Sequence, residues 1–284
     1  MYKYKTLEDI SMKIIHETFV NAFSDYQVKI DLPLWKLENM LTRRGYNSKV
    51  SMGAFADDKL VGFILNGLRS WNGKKTVYDT GTGVIQEYRK QGITTTMFKN
   101  AKDILIKDGV ECYLLEVIKE NTAAFELYKK EGFEIIRELE CFNLSRSNNK
   151  IAGTHKVEHI DILTEDMWTE VMSLWDIEPS WQNSIDSVKA VKEGFTYALV
   201  KDEGRIIGYG IVDKKTGDVP QMAVHKDYRG KGIGKSIIAD LLKNTEAEKI
   251  SIINVDGSCR TMIEILHHLG FEHLVGQYEM ILKL

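Results

Sequence analysis

The sequence predicts an α/β protein made of two similar units that follow one another along the chain. Strand-like and helix-like segments occur in the same mixed order in both halves, which is typical of sheets flanked by helices. A glycine-containing loop recurs, as YRKQGIT at 88–94 and as YRGKGIG at 228–234. A Gly-Phe-Glu triplet also recurs, at 132–134 and 270–272. Because these landmarks share their order and spacing, we predict a tandem repeat of one fold.

Length and composition agree with two globular domains. The 284 residues exceed the roughly 100–200 that are typical of one domain. With 43% hydrophobic and 28% charged residues, each half has enough apolar side chains to form its own core. The polar segment SRSNNK at 145–150 lacks periodicity and suits a connection. We therefore predict an N-terminal domain at 1–146 and a C-terminal domain at 154–284.

Charge and cysteine content exclude several classes of function. A net charge of −3 disfavours a broad nucleic-acid surface. The first residues, MYKYKT, do not begin a signal peptide, and no window approaches the roughly 18 apolar residues of a membrane span. Cys112, Cys141 and Cys259 lack metal-ligand or redox spacing. We expect reduced thiols, no metal, no nucleic-acid or membrane partner and a cytoplasmic location, and the sequence predicts no oligomeric state.

Periodicity assigns the elements of the first half. Ile10, Ile14 and Ile15 lie near helical spacing, and Ala56-Asp57-Asp58 is typical of a hairpin turn. The predicted elements, in chain order, are a strand at 2–5, helices at 9–23 and 34–41, strands at 50–55, 59–65 and 77–84, a helix with Ile93, Met97, Phe98, Ala101, Ile104 and Leu105 on one face, a strand at 112–117, a helix at 121–131 and a closing strand pair that includes 134–143. The second half repeats this order, with strands predicted at 195–200, 205–212, 219–224 and 250–255.

The repeated loops are predicted to bind an anion. Each joins a strand to the start of a helix, where backbone N–H groups lack intrahelical partners and carry a partial positive charge. The first helical turns contain Thr94 and Gly234 in place of the usual acidic residues, so a phosphate can take the place of those acids. Gly92, Gly232 and Gly234 permit close backbone approach, since no Cβ intrudes.

Spacing separates the known phosphate loops. The Walker pattern requires a glycine five positions before Gly234-Lys235-Ser236, and that position is Arg229. A dinucleotide-binding loop requires G-x-G-x-x-G, whereas Gly230, Gly232 and Gly234 are one residue too closely spaced. Both readings are therefore disfavoured.

The remaining pattern resembles the GNAT superfamily of N-acetyltransferases, whose loop is Q/R-x-x-G-x-G/A between a strand and a helix. Residues 229–234 (RGKGIG) match it fully, and residues 89–94 (RKQGIT) match it except at Thr94. The resemblance covers nearly the whole chain through its strand, loop and helix order. It implies two tandem GNAT-like domains, each with a mixed, mostly antiparallel central sheet flanked by helices. The implied reaction moves an acetyl group from acetyl-CoA to a primary amine of a small molecule or peptide by direct attack.

The resemblance also implies the cofactor contacts. Main-chain amides of the loops would hold the pyrophosphate of acetyl-CoA, and the strand before each loop would splay from its neighbour to meet the pantetheine arm. The alternative for these strands is ordinary sheet pairing. The cofactor-binding residues so implied are Thr82, Gly83, Val84, Arg89, Lys90, Gln91, Gly92, Ile93, Thr94 and Asn121 in the first half, and Met222, Ala223, Val224, Arg229, Gly230, Lys231, Gly232, Ile233 and Gly234 in the second.

A helix in the first half carries two candidate residues. Asn121 and Tyr128 are seven positions apart and share a helix face, since seven steps of 100° nearly complete two turns. In the GNAT pattern the asparagine contacts the cofactor arm and the tyrosine protonates the departing thiolate. Asn121 as a helix cap and Tyr128 as a half-buried aromatic are the alternatives.

The second half lacks this pair. Aligning the two Gly-Phe pairs places Leu266 opposite Tyr128 and Cys259 opposite Asn121. Leucine cannot donate a proton, so the first domain is predicted to be the catalyst and the second to bind CoA or support the assembly. His267 or His268 can replace the tyrosine if the helix register differs.

The sequence identifies the general base and the acceptor-binding residues less clearly than the loops. Asp79 and Glu116 are candidate bases, with structural carboxylates as the alternative, and a main-chain N–H near Val84 is the candidate oxyanion donor. Four aromatic residues lie where the family usually builds its acceptor wall, with core packing as the alternative: Tyr26, Trp35, Trp175 and Trp181. The alternative function is a catalytically weak CoA-binding module.

Overall fold

A computed structural model describes residues 2–25, 32–147 and 151–284, and the chain forms two compact units. The first unit contains Met1–Ile136 together with Tyr278–Leu284, and the second contains Arg137–Gln277. The predicted α/β class is confirmed, because strands and helices alternate in both units. The predicted domain limits at 146 and 154 stay a prediction.

The first unit is built on a mixed, mostly antiparallel sheet. Its strands are β1 (Lys3–Thr6), β2 (Met52–Ala56), β3 (Lys59–Trp71), β4 (Lys74–Val84) and β5 (Cys112–Ile118), and the last strand of the chain, β12 (Glu272–Lys283), joins them from Tyr278 onward. The order is β1-β2-β3-β4-β5-β12. Successive strands from β1 to β4 pair antiparallel, and β4 pairs with β5 in parallel.

Helices cover both faces of this sheet. They are α1 (Met12–Ala22), α2 (Leu34–Arg43), α3 (Ile93–Lys107) and α4 (Thr122–Lys130). The buried face of α3 contains Met97, Phe98, Ala101 and Leu105, which confirms the predicted helical face. These side chains share a core with Tyr113 and Tyr128, whereas α1 and α2 pack on the opposite face around Phe63 and Leu65.

The strand after α4 differs from the prediction. Residues 134–143 were predicted to lie in a strand pair that closes the first unit, but they belong to one long strand, β6 (Glu134–Ser145), which pairs with the second unit's β11 (Lys249–Asp256) from Leu139 onward. The position beside β5 is taken by Tyr278–Lys283. Met280 is fully buried in the first core, with Leu282 and Leu284 packed against it. These three residues alternate along the strand and so share one face.

The second unit has two groups of strands. Residues of β12, β6 and β11 neighbour one another in that order. The remaining elements of the unit are β7 (Glu158–Ile160), α5 (Glu165–Met172), α6 (Ile185–Ala190), β8 (Phe195–Asp202), β9 (Arg205–Asp213), β10 (Met222–Val224), α7 (Ile233–Leu241) and α8 (Arg260–His268). Four of these strands form a separate sheet with the order β10-β9-β8-β7. Strand β10 is shorter than the predicted 219–224, because Pro220 has no N–H to donate to a ladder.

Three further observations concern surfaces and ligands. No helix within the described ranges is long and apolar enough to cross a membrane. Among the same residues, no group of three histidine, cysteine or acidic side chains is placed to hold a metal ion. Cys112 and Cys141 are buried free thiols, and Cys259 is partly exposed.

Candidate active site and cofactor clefts

Strands β4 and β5 separate beside the repeated loop of the first unit. They pair from Thr76 and Cys112 to Tyr78 and Leu114, yet β4 continues to Val84. Beyond Tyr78, within this fully described stretch, the two strands form no ladder, although β4 stays paired to β3 on its other edge. The structure thus has the splay that the resemblance implies, and the main chain from 79 to 84 borders an opening in the sheet.

A β-bulge beside Asp79 brings the end of β4 onto the face of the sheet that carries this side chain. Leu65 pairs with Gly81 and Asn66 pairs with Asp79, so Thr80 is an extra residue on β4. The Asp79 carboxylate accepts hydrogen bonds from the Gly81 amide at 2.9 Å and from the Thr82 hydroxyl at 2.7 Å. These two contacts hold the carboxylate on the α4 side of the sheet.

Tyr128 reaches the same carboxylate from α4. Its hydroxyl lies 3.4 Å from Asp79 Oδ2, and its ring packs edge-to-face on Phe98 and Phe133, with 5.7 Å between centroids in each case. The aromatic neighbours fix the ring, and the hydroxyl points to the splayed strands. The sequence singled out Tyr128 and Asp79 separately, and the structure brings them together.

Burial raises the pKa of Asp79 to about 6. Hydrogen bonds from Thr82, Gly81 and Tyr128 and the charge of Arg44 oppose this rise, but the loss of solvation dominates. A carboxyl with a pKa of about 6 is mostly ionised at neutral pH and still accepts a proton readily. Asp79 therefore has the environment of a proton-transfer group.

The Asp79 pKa predicts a specific pH dependence of stability. Its value rises from 3.8 to about 6 on folding, so the contribution of this group to stability is complete below pH 4 and is lost as the pH rises through 6. The shift corresponds to roughly 3 kcal/mol. Asp79→Asn should remove this pH dependence in urea unfolding between pH 4 and 7.5, whereas the exposed Asp58→Asn should not. Parallel curves for wild type and Asp79→Asn would contradict the assignment.

Glu116 lies away from the Asp79–Tyr128 pair. Its strand neighbours Leu115 and Val117 belong to the α3 and α4 core, and successive side chains alternate between faces. The Tyr78 hydroxyl is hydrogen-bonded to Glu116, and burial, followed by the charge of Glu116, raises the pKa of Tyr78 well above its ordinary value. The predicted base role of Glu116 stays a prediction, on the α1 and α2 side of the opening.

The two repeated loops have the same backbone conformation. Gly92 and Gly232 cap α3 and α7 in the left-handed region, with φ of 73° and 85°, and neither cap has a side-chain hydrogen bond. Two residues earlier, Lys90 and Gly230 are also left-handed, with φ of 61° and 76°. The first-turn N–H groups of both helices are thereby presented as an anion site.

Thr94 is the departure from the loop pattern. At the equivalent Gly234, an added Cβ would lie 3.8 Å from the nearest atoms of Met222 and Val224, which is ordinary contact. A side chain at this position is therefore compatible with the second unit's fold. This comparison favours an altered first loop over a disrupted one.

The other predicted loop residues have distinct surroundings. Ile93 and Ile233 are buried and anchor their helices in the cores. The Gln91 carboxamide accepts a hydrogen bond from the Tyr2 hydroxyl at 2.7 Å, and the Lys231 ammonium lies 4.9 Å from the centre of the Tyr228 ring. Asn121 caps α4, with its side-chain oxygen 3.2 Å from the Ala124 amide, as in the alternative reading.

The second unit contains a cleft between β10 and β11. It runs from Arg229 and Gly234 at the loop to Cys259 at the start of α8, and residues 219–224 and 252–256 line its sides. A single bridge joins Asp218 to Ser251, after which the two strands separate. The geometry repeats the splay of the first unit.

A hydrogen-bonded chain that the sequence did not reveal borders this cleft. Trp175 Nε1 donates to the Tyr209 hydroxyl at 2.5 Å, the hydroxyl donates to Gln221 Oε1 at 3.0 Å, and Gln221 Nε2 donates to the Asn183 carbonyl at 2.6 Å. These residues come from three separate segments, so no local spacing could have grouped them. Burial raises the pKa of Tyr209, which keeps its hydroxyl protonated.

The four aromatic residues that were candidates for the acceptor wall lie in different surroundings. Trp175 lines the second cleft, whereas Trp181 is fully buried in the core, as its alternative reading proposed. Trp35 is exposed on α2. Tyr26 lies outside the described residues.

The caps of α4 and α8 show how these two helices align, and so which residue of α8 corresponds to Tyr128. Helices α4 and α8 both have nine residues, and the caps Asn121 and Cys259 have nearly equal φ values of −82° and −81°. Leu266 is fully buried at the position of Tyr128. Because His267 and His268 are exposed, the alternative in which one of them replaces the tyrosine is wrong.

The carboxylates are also replaced in the second unit. Counting from the loop arginines places Val219 at the position of Asp79, and counting from the helix caps places Asn254 at that of Glu116. Asn254 is left-handed, with φ of 61°, and its side chain is hydrogen-bonded to Ser180 and Gln277. The second cleft therefore lacks the acid and base candidates of the first.

Comparisons with known families agree with this geometry. The profile described as Acetyltransferase (GNAT) family matches residues 13–133, and the one described as Acetyltransferase (GNAT) domain matches residues 193–273. The chain therefore belongs to the GNAT family of N-acetyltransferases, and it contains two such domains in tandem.

Individual relatives are similar over part of their length. The chain is 33% identical over 84 residues to Probable N-acetyltransferase san of Drosophila melanogaster, covering 29% of this chain and 46% of that protein. It is 31% identical over 97 residues to Mycothiol acetyltransferase of Corynebacterium efficiens, covering 34% and 32%. These matches span less than half the length of either relative.

Solved structures show the same tandem fold. A tandem GNAT protein from the clavulanic acid biosynthesis pathway has a TM-score of 0.76 at 15% identity, covering 100% of this chain and 98% of its own. A GCN5-related N-acetyltransferase from Sphaerobacter thermophilus has a TM-score of 0.74 at 13% identity, covering 99% and 95%. At these identities the likeness concerns the fold.

Proposed function

We propose that the protein transfers the acetyl group of acetyl-CoA to a primary amine of a small molecule or peptide, and that its first unit performs the chemistry. The observation that carries the proposal is the approach of the Tyr128 hydroxyl to Asp79 beside the splayed strands, at 3.4 Å. Val219 and Leu266 stand at these positions in the second unit, so only one of the two units has this pair.

The clefts fit acetyl-CoA. Unpaired strand edges at 82–84 and 222–224 can meet an amide-containing arm, and the left-handed caps Gly92 and Gly232 present free N–H groups to a pyrophosphate. The second cleft continues from its loop to α8. Acetyl-CoA, when bound, supplies the thioester that is the acetyl donor.

The chain's own residues then have separate roles. A lysine-like amine with a pKa near 10.4 is free in only about one of 10³ molecules at neutral pH. The Asp79 carboxylate accepts the ammonium proton, directly or through a water molecule, and its bonds to Gly81 and Thr82 hold it in place. The freed amine can then attack the thioester carbonyl, so that a C–N bond forms and the C–S bond breaks, and a main-chain N–H near Val84 would stabilise the negative charge on the carbonyl oxygen. The Tyr128 hydroxyl would give its proton to the departing thiolate and regain one from Asp79, 3.4 Å away. The second amine proton would pass to solvent.

The second unit fits a role in CoA binding or support. Its loop matches the family pattern fully, while Val219, Asn254 and Leu266 offer no acid or base at the corresponding positions. This absence of ionisable side chains at three matched positions also favours the alternative function, a catalytically weak CoA-binding module, for that unit.

Thiol release tests the proposed function. Wild type should release CoA when acetyl-CoA is offered with a panel of primary amines. Gly232→Val should remove one acetyl-CoA site in calorimetry, because a β-branched residue is strained at φ of 85° and its side chain would crowd a pyrophosphate held by the loop amides. Turnover should stay largely intact, because the proposed chemistry belongs to the first unit.

The control for Gly232→Val is a glycine with the same conformation outside the loops. Gly204 has φ of 84° in a turn with nothing within 4 Å of an added Cβ. Gly204→Val should keep both acetyl-CoA sites. Stoichiometric binding without release for any amine would favour the binding module, and unchanged binding in Gly232→Val would contradict the loop assignment.

A further inference from the structure

The arginine of each repeated loop makes the same unexpected contact. Arg89 Nε donates to the Val84 carbonyl at 3.0 Å, and Arg229 Nε donates to the Val224 carbonyl, also at 3.0 Å. Each guanidinium thus turns back to the end of the strand that borders its cleft.

A carboxylate completes both arrangements. Arg89 forms a bidentate pair with Asp25, at 2.6 and 2.8 Å, and Arg229 lies 2.9 Å from Asp176. Asp25 follows α1 and Asp176 follows α5, the first helix of each unit. The same pairing therefore recurs in two units whose surrounding sequences differ.

The first unit adds one more bond. Arg89 Nη2 donates to the Ala22 carbonyl at 2.6 Å, at the C-terminal end of α1, where the helix dipole is negative. The hydrogen bond from Arg89 lowers the pKa of Asp25. A guanidinium has five N–H donors, and four bonds of Arg89 already serve Val84, Ala22 and Asp25. One Nη1 N–H remains, so a phosphate could bind Arg89 through two donors only by displacing the Asp25 carboxylate.

We propose that Arg89 and Arg229 are positioning residues that fasten each loop to its splayed strand and to the aspartate after the unit's first helix, and that they are not phosphate ligands. This inference rests on the proposed function only where it concerns acetyl-CoA. Holding the Val84 carbonyl fixes the strand end that borders the cofactor cleft. Asp25 and Asp176 thereby act on cofactor binding through the arginine.

Neutralising Asp25 separates the two roles by the sign of its effect. If Arg89 bound phosphate, Asp25→Asn would remove a competing anion and tighten acetyl-CoA binding. If Arg89 positions the strand, the same change should weaken binding, by about 3–10-fold for a partly exposed pair. Calorimetry of acetyl-CoA binding is done on the full chain that also carries Gly232→Val, so that only the first unit's site is measured. Tighter binding in Asp25→Asn would overturn the proposal.

Control variants separate this role from a general effect of charge. Asp25→Glu should restore most of the affinity, and Asp58→Asn, which removes the exposed ion pair with Lys3, should leave it unchanged. Arg89→Lys keeps the positive charge but loses the planar guanidinium, so it should weaken acetyl-CoA binding as Asp25→Asn does. The double variant Asp25→Asn/Arg89→Lys should bind no more weakly than either single variant. Additive losses would contradict the coupling.

A measurement without ligand keeps the inference independent of the proposed function. Hydrogen exchange of the amides from Val84 to Arg89 should accelerate in unliganded Asp25→Asn and not in Asp58→Asn. Unchanged exchange would overturn the positioning role, whatever the protein binds. Wild type that binds no acetyl-CoA would instead overturn the proposed function, and the exchange result would still decide the role of Arg89.

Discussion

Replacing Tyr128 with phenylalanine should reduce turnover by about 10²–10⁴-fold, the usual loss when a positioned acid is removed. Acetyl-CoA affinity should change little, because phenylalanine keeps the ring between Phe98 and Phe133. Asp79 loses one donor but retains Gly81 and Thr82. Steady-state thiol release and calorimetry on the same preparation measure the two quantities.

The second unit offers a matched control for the tyrosine. Tyr209 is also buried, and its hydroxyl also contacts polar side chains beside a cleft. Tyr209→Phe should therefore leave turnover within a few-fold of wild type if chemistry belongs to the first unit. Normal turnover in Tyr128→Phe, together with loss of activity in Gly232→Val, would reverse the assignment and make the second unit the catalyst.

Deleting Tyr278–Leu284 should unfold the first unit and abolish turnover. Met280 is fully buried in the core that contains Tyr128, and the Tyr278 ring packs on Phe125 with 5.1 Å between centroids. Truncating one buried methionine typically costs about 2–5 kcal/mol, and the deletion also exposes an edge of β5. Far-UV circular dichroism should report the loss of secondary structure, near-UV circular dichroism the changed environment of the tyrosines, and thiol release the loss of turnover.

Graded variants distinguish core loss from a local effect. Met280→Ala should lower the free energy of unfolding by about 2–5 kcal/mol. Lys283→Ala, at an exposed position of the same strand, should change it by less than about 0.5 kcal/mol. Addition of a peptide spanning 278–284 to the deleted chain should restore some turnover. A deleted chain that keeps wild-type turnover would contradict the placement of this strand in the first unit's core.

The two units have diverged in different parts of one arrangement. Both retain the left-handed loop, the splayed strands and the arginine with its aspartate. The first unit carries Thr94 in its loop but keeps Asp79 and Tyr128, and the second has the regular loop but Val219 and Leu266. Such a division is expected when one copy keeps the chemistry, since the other copy is then free to lose its acid and base.

Much of the fold was predictable because its signals are local. The alternation of apolar residues, the six-residue loop and the helix beginning near Asn121 all depend on residues close in sequence. Apart from the strand pair predicted to include 134–143, each predicted element has a counterpart in the structure. The prediction of the first unit's closing strand was wrong, because the strand beside β5 comes from the distant segment Tyr278–Lys283. No periodicity within residues 134–143 could show that a distant segment would take the place beside β5.

The sequence by itself determined the tandem GNAT architecture, the two repeated loops, and the presence of Tyr128 in one unit and leucine in the other. Only the tertiary structure decided which side chains meet. Tyr128 and Asp79 are 49 positions apart, and Arg89 and Asp25 are 64 apart. The extra residue Thr80 brings Thr82 and Val84 onto the same face of the sheet as Val77 and Asp79. Strand alternation reverses with one inserted residue, so the pairing with β3 was needed to show that Thr82 lies on the same face as the carboxylate.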